Sequence, residues 1–368
     1  MGVIGPEVFI VQPGFVQGLV AYLGFTDQQA GYTSSVEMFG IAATTILLTF
    51  AAHRLNWRIV FACSLVLMFL ANALSVFVTD FGTFTTLRFV AGFGAGGLVS
   101  LSFAAIGLTD NPDRNFGYLI MWVLIYGAIG LLLMPTAYST FGLAGALWFF
   151  AVFPLLGLPF VKELPATGEN AVAADENAVT LSLPLRGLAL FAMLAYFLAQ
   201  GVVWAYLFLI GLAGGLAEQQ VANGLTISQF AGIAGAFLAA MLGNRYGRAL
   251  PLTLGILGGA LCLYFLVGRV EFLVFALAVG VYNFAWNASH PFLLAAMASF
   301  DRRGRVVVYA VAMQMIGLAV GPGLAATAIE NGNYVNVNIL GAGLFVLSLL
   351  LILPPVLAYA QRPAMATT

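Results

Sequence analysis

Charge is what this sequence has least of: Asp, Glu, Lys and Arg make up 7% of its 368 residues. A soluble domain uses about 25% charged residues to cover its surface. With 62% of its residues hydrophobic, this chain cannot cover itself with polar groups, so hydrocarbon must be its solvent. The net charge of −1 and the lack of any basic patch exclude nucleic acid as the main partner. Histidine and cysteine are nearly absent, with two of each. Cys63 and Cys262 sit in separate apolar runs, away from each other and from His. That excludes a disulfide framework and a thiolate metal site, and no cofactor is expected. No lysine follows the glycine-rich stretch Gly92, Gly94, Gly96 and Gly97, so no phosphate cradle is read there. The opening Met1-Gly2-Val3-Ile4 has neither a basic start nor a small-residue cleavage site, and no cleavable signal peptide is expected.

What the sequence does have is long apolar runs. They are continuous over about 20 residues, the length of a helix crossing about 30 Å of hydrocarbon. Strands of a membrane barrel would instead alternate over stretches of about ten. Backbone groups in lipid must satisfy one another, which again selects helices. About twelve spans are read with this window: 4–23, 32–52, 59–78, 85–108, 116–138, 143–161, 185–209, 221–242, 250–267, 272–298, 306–329 and 339–359. Most connections are very short. The exception, 162–184, is polar, acidic and rich in Ala, Asn and Pro. It divides the chain into a six-helix half at 1–162, a linker at 163–184 and a second six-helix half at 185–368. The expected fold is therefore an all-α membrane protein of two pseudo-symmetric halves.

Orientation follows from the positive charges. With the N-terminus in the cytoplasm, Arg54, Arg58, Arg114, Lys162, Arg186, Arg245, Arg248, Arg302, Arg303, Arg305 and Arg362 all fall on the cytoplasmic face. Only Arg88 and Arg269 remain of the 13 basic residues. Both termini and the linker are thus expected inside, in the inner (plasma) membrane of a bacterium.

Several local patterns resemble the major facilitator superfamily of transporters, over nearly the whole chain. The family's loop between spans 2 and 3 reads Gly-x-x-x-Asp-Arg-x-Gly-Arg-Arg. Here that loop is His53-Arg54-Leu55-Asn56-Trp57-Arg58, and the equivalent loop of the second half is Asn244-Arg245-Tyr246-Gly247-Arg248. The basic residues stay, but His53 and Asn244 replace the acid. The resemblance implies a cytoplasmic gate at Arg54, Arg58, Arg245 and Arg248 that lacks its usual charge pairing. Span 4 carries Arg88-Phe89-Val90-Ala91-Gly92-Phe93-Gly94, similar to the family's Arg-x-x-x-Gly-x-Gly, and span 11 carries Gly317-Leu318-Ala319-Val320-Gly321-Pro322, similar to its Gly-x-x-x-Gly-Pro kink. Exporters of the family carry that kink pattern in span 5, where this chain has only Gly127, Gly130 and Pro135 loosely spaced. This leans toward import. The family's first helix begins earlier than span 1 does here, which leaves either a truncated start or a short first helix.

Charged groups inside spans are rare and costly, so each is a candidate for function. Glu7 reads as a proton-binding acid facing a central cavity, or as a residue at the cytoplasmic water interface of a short helix. Arg88 reads as a partner tuning a nearby carboxylate, or as a structural arginine. Glu37 pairs with Arg88 or faces the wet outer vestibule, and the vestibule is the preferred reading. In span 10, Asn283, Asn287 and His290 share one helical face flanked by Trp286. The resemblance puts span 10 on the cavity, so this face is expected to contact substrate rather than to pair helices. Gln200 and Trp204, one turn apart in span 7, offer an amide beside an aromatic platform, or simple packing. Gln12, Gln17, Gln229 and Gln314 are read as interhelical glue.

These features lead to a monomeric secondary transporter, embedded in membrane lipid, whose partners are protons and a small neutral or amphipathic organic solute. Symport is favoured over drug-type antiport. A non-transporting assembly factor or receptor is the alternative. A membrane-embedded enzyme fits worst, because His53 and His290 lie in separate halves with no acid cluster.

Overall fold

The structure, a computed structural model, describes residues 1–167, 180–243, 245–301, 305–330 and 332–361, apart from the side chains of Pro112, Asp113 and Arg305. Most of the expected linker, together with Asn244, Arg302, Arg303 and Arg362, lies outside the described residues. Every element long enough to matter is an α-helix: α1 Glu7–Ile10, α2 Gln12–Leu23, α3 Asp27–Ala51, α4 Trp57–Ser75, α5 Phe81–Gly107, α6 Pro112–Leu155, α7 Leu183–Trp204, α8 Leu207–Ala213, α9 Glu218–Leu242, α10 Ala249–Cys262, α11 Phe272–Ser299, α12 Arg305–Ala328 and α13 Val335–Ala360.

Among the described residues ten helices are long and apolar enough to cross a membrane. Two local breaks reconcile this with about twelve passes. The expected first span is divided at Val11 into α1 and α2. The expected fifth and sixth spans run together in α6, where Gly142 adopts φ 64° and ψ −171°. Only glycine takes that conformation without strain, so this residue turns the chain between two passes. Large apolar side chains such as Phe77, Phe141 and Tyr264 lie on the outer surface, which hydrocarbon but not water tolerates.

The two halves repeat one packing scheme. In the first, α3 packs on α5, α5 on α4 and α4 on α6; in the second, α9 packs on α11, α11 on α10 and α10 on α13. The α3–α5 contact is close because a Cβ on Gly92 would strike the carbonyl of Glu37, and one on Gly96 that of Ile41. Lipid offers no hydrophobic drive between helices, so such backbone approach is what holds them. Between the halves α3 meets α12, α6 meets α9 and α2 meets α8. The Gln28 side chain donates to the Ile329 carbonyl, Ser35 to Ala319, Tyr206 to Asp27 and Gln219 to Leu132. These bonds gather toward the face where α2 ends and α3 begins, opposite the arginine-bearing loops.

Candidate functional site

The break in the first span organises the centre of the molecule. Pro13 has no N–H for the carbonyl four residues back, that of Phe9. The freed carbonyl accepts a 3.0 Å hydrogen bond from Nε1 of Trp204, which reaches it from the other half. The chain breaks again just past Trp204, between α7 and α8. The first helix of each half is therefore interrupted, and the interruptions face one another.

One turn before the break is Glu7. It is fully buried, and neither carboxyl oxygen has a hydrogen-bond partner. Its side chain is therefore shut off from bulk water. Glu37 is buried as well, with Oε1 3.8 Å from Nη1 of Arg88. This corrects the vestibule reading: the close α3–α5 approach turns Glu37 inward. Arg88, fully buried, donates to Asn72 Oδ1 at 2.7 Å, to Ser75 Oγ at 2.8 Å and to the Ala71 carbonyl, all on α4. Its guanidinium lies 5.9 Å from the Phe15 ring centre and 5.5 Å from that of Phe84. A cavity of about 10 Å³, with Gln12, Glu37 and Asn72 among its walls, adjoins the pair. That is room for about one water. Two acids and one guanidinium thus share a site closed to bulk solvent.

Beyond the break is an aromatic cluster. Trp286 of α11 sits edge-on to Phe9 at 6.4 Å, to Trp204 at 6.0 Å and to Tyr282 at 6.1 Å. Gln229 of α9 reaches in beside Ile10 and Gly127, and its Nε2 is buried without a partner. Oε1 of Gln12 and Oε1 of Gln200 are orphaned in the same way. Gln12 and Gln229 are the residues sequence reading missed. A lone glutamine in an apolar helix looks like glue, and only burial without a partner sets these two apart. Gln17 does behave as glue, donating to Glu218 across the halves.

The span-10 stripe divides. Asn283 is buried and donates to Ser228 Oγ of α9 at 3.3 Å, within one half. It is used in helix pairing, contrary to the expectation that it faces the cavity, because Gly232 lets α9 close upon it. Asn287 is half-buried and donates back to Oδ1 of Asn283 at 2.8 Å. His290, also half-buried, shares a 3.1 Å hydrogen bond with Gln314 and meets the Phe197 ring edge-on at 5.0 Å.

At the loops, Arg54 Nε contacts His53 and Arg58 donates to the Leu164 carbonyl at 2.7 Å. Arg245 is exposed. Arg248 donates to Ser299 and stacks 5.7 Å from the Tyr359 ring centre. Among the described residues none of the four meets a carboxylate within ion-pair distance.

With this geometry in view, known proteins can be compared. The family model described as Major Facilitator Superfamily matches residues 3–286. A protein of Bacillus subtilis (strain 168) named "Putative niacin/nicotinamide transporter NiaP" is 24% identical over 268 residues. The match covers 69% of this chain and 66% of that protein, so the chain spans just under two thirds of its length. Among solved structures, a point mutant of the nucleoside transporter NupG superposes with a TM-score of 0.74 at 15% identity, over 96% of this chain and 98% of that one. A D-xylose-proton symporter superposes with a TM-score of 0.71 at 16% identity, over 96% and 95%.

Proposed function

The chain belongs to the major facilitator superfamily, and from that premise we propose that this membrane transporter moves a small organic solute by alternating access in symport with a proton. One observation carries the reading: a fully buried acid, Glu7, with no hydrogen-bond partner, stands one turn before the break whose Phe9 carbonyl is held by Trp204 of the other half. An ionised carboxylate there costs several kcal/mol unless paired or wetted. Glu37 already balances Arg88. Neutrality of the site then asks for one proton, and Glu7 carries it. Rocking of the halves changes the surroundings of Glu7, and that difference couples proton release to the change of face.

The solute lies against the aromatic cluster. Trp286, Trp204 and Phe9 supply ring faces and edges, while Gln229, Gln200 and Asn287 supply donors and acceptors. Asn283 holds Asn287 in place, and His290 lies one turn beyond. A flat ring bearing a carboxylate or carboxamide suits this set, and a pyridine carboxylate or its amide, the cargo for which the Bacillus protein is named, is of that kind. Purified protein will be thermally stabilised by nicotinate or nicotinamide more than by uridine or D-xylose, because bound ligand raises stability by mass action. Trp286→Ala and Gln229→Leu will each weaken that binding by about tenfold. Stabilisation by the sugar, with the ring ligand bound equally well by both variants, would refute this assignment.

The arginine distribution supports an orientation with both termini and the 163–184 linker in the cytoplasm, the halves being 1–162 and 185–368, as a monomer in a bacterial inner membrane. The hydrogen bonds between the halves then seal the outer face. A membrane-impermeant thiol reagent applied from outside will modify Asn333→Cys and spare Asn170→Cys in intact cells. Labelling at 170 without labelling at 333 inverts the topology.

A further inference from the structure

A second cavity lies far from the centre, at the ends of three helices of the second half. It has a volume of about 290 Å³ and is lined by Tyr246, Arg248, Phe300, Val356, Tyr359 and Ala360, among others. Its depth follows from the span limits. Ala249 opens one apolar span, Ser299 closes another and Ala360 closes a third. The cavity therefore straddles the boundary between hydrocarbon and water, on the face that bears the arginine loops.

Its chemistry is divided to match. Phe300, Val356 and Ala360 form an apolar wall, with Phe300 fully buried. Tyr246, 64% exposed, stands at the mouth, and aromatic residues with a polar tip favour the headgroup level of a bilayer. Arg248 is the charged group in the lining, and no acid shares it. The neighbouring Asp301 is buried and outside the lining. The guanidinium is held by its hydrogen bond to Ser299 and by the Tyr359 ring beneath it. It meets no carboxylate among the described residues, so its planar fork is oriented and takes part in no ion pair there. A planar guanidinium of this kind matches a phosphate oxygen pair.

We infer that this cavity binds the headgroup of an anionic phospholipid, with the phosphodiester on Arg248 and the glycerol and first acyl carbons along Phe300, Val356 and Ala360. The site is independent of the transport centre. A lipid is favoured over a soluble anion because the apolar wall opens at the hydrocarbon boundary, where a free phosphate gains nothing. By bridging the ends of α10, α11 and α13, the lipid braces the second half at the face where the arginine loops lie.

The test is native mass spectrometry and thermal unfolding of the full chain in nanodiscs. One set contains phosphatidylcholine alone, one contains added phosphatidylglycerol, and one contains phosphatidylcholine with inorganic phosphate in the buffer. Phosphatidylglycerol is expected to remain bound and to raise the unfolding temperature, whereas phosphate does neither. Arg248→Gln should weaken retention about fivefold, the worth of one arginine near an anionic surface. Arg269→Gln, a basic residue of another loop, should leave it unchanged. Ala360→Leu, which fills the apolar wall and keeps the arginine, should reduce retention too, and serves if Arg248→Gln fails to fold. Equal retention in wild type, Arg248→Gln and Ala360→Leu overturns the proposal. So does equal stabilisation by phosphatidylcholine or by inorganic phosphate.

Discussion

Glu7→Gln will abolish uptake driven by a pH gradient while leaving solute binding and the fold nearly intact. Glutamine has almost the size of the protonated acid and carries no charge, so it mimics the state in which a buried site without a hydrogen-bond partner holds Glu7. It can neither lose nor gain a proton, so the carrier loses the change in charge that tells one conformation from the other. In reconstituted vesicles the variant should still exchange labelled solute for unlabelled solute, because exchange needs no net proton movement. It should not concentrate solute when a pH gradient is imposed. Concentrative uptake by Glu7→Gln at the wild-type rate would move the proton site to Glu37 or His290.

The second large effect is on stability. Arg88→Ala removes the hydrogen bonds to Asn72 and Ser75 and the ion pair to Glu37. It leaves a buried carboxylate without compensation, and breaking such a pair costs about 3–5 kcal/mol. The single variant should therefore be poorly folded in detergent. Adding Glu37→Gln deletes the stranded charge, and the double variant should recover much of the loss, as residues in contact do when measured by a cycle. Thermal unfolding of wild type, both single variants and the double variant measures this coupling. Additive losses would mean that Arg88 acts through its contacts with α4 and the phenylalanine rings rather than through Glu37.

The sequence alone was enough for the solvent, the helical class, the number of passes and the division into halves. Scarcity of charge and apolar length are properties summed along the chain, and hydrocarbon selects on those sums whatever the helices touch. The loop and glycine patterns likewise carried the family, because close backbone contact needs glycine at particular positions. The site was legible only in part. Glu7, Arg88 and Trp286 stood out as costly or bulky residues inside spans. That Glu37 turns toward Arg88, that Asn283 is taken up by Ser228, and that Gln229 is orphaned while Gln17 is not were decided by tertiary structure. So was the fate of the Phe9 carbonyl: Pro13 frees it locally, but the indole that claims it belongs to Trp204 in the other half. A buried polar group takes its role from the partner it finds or lacks. In a membrane bundle that partner is supplied by a helix far away in sequence, at distances set by how closely the backbones pack.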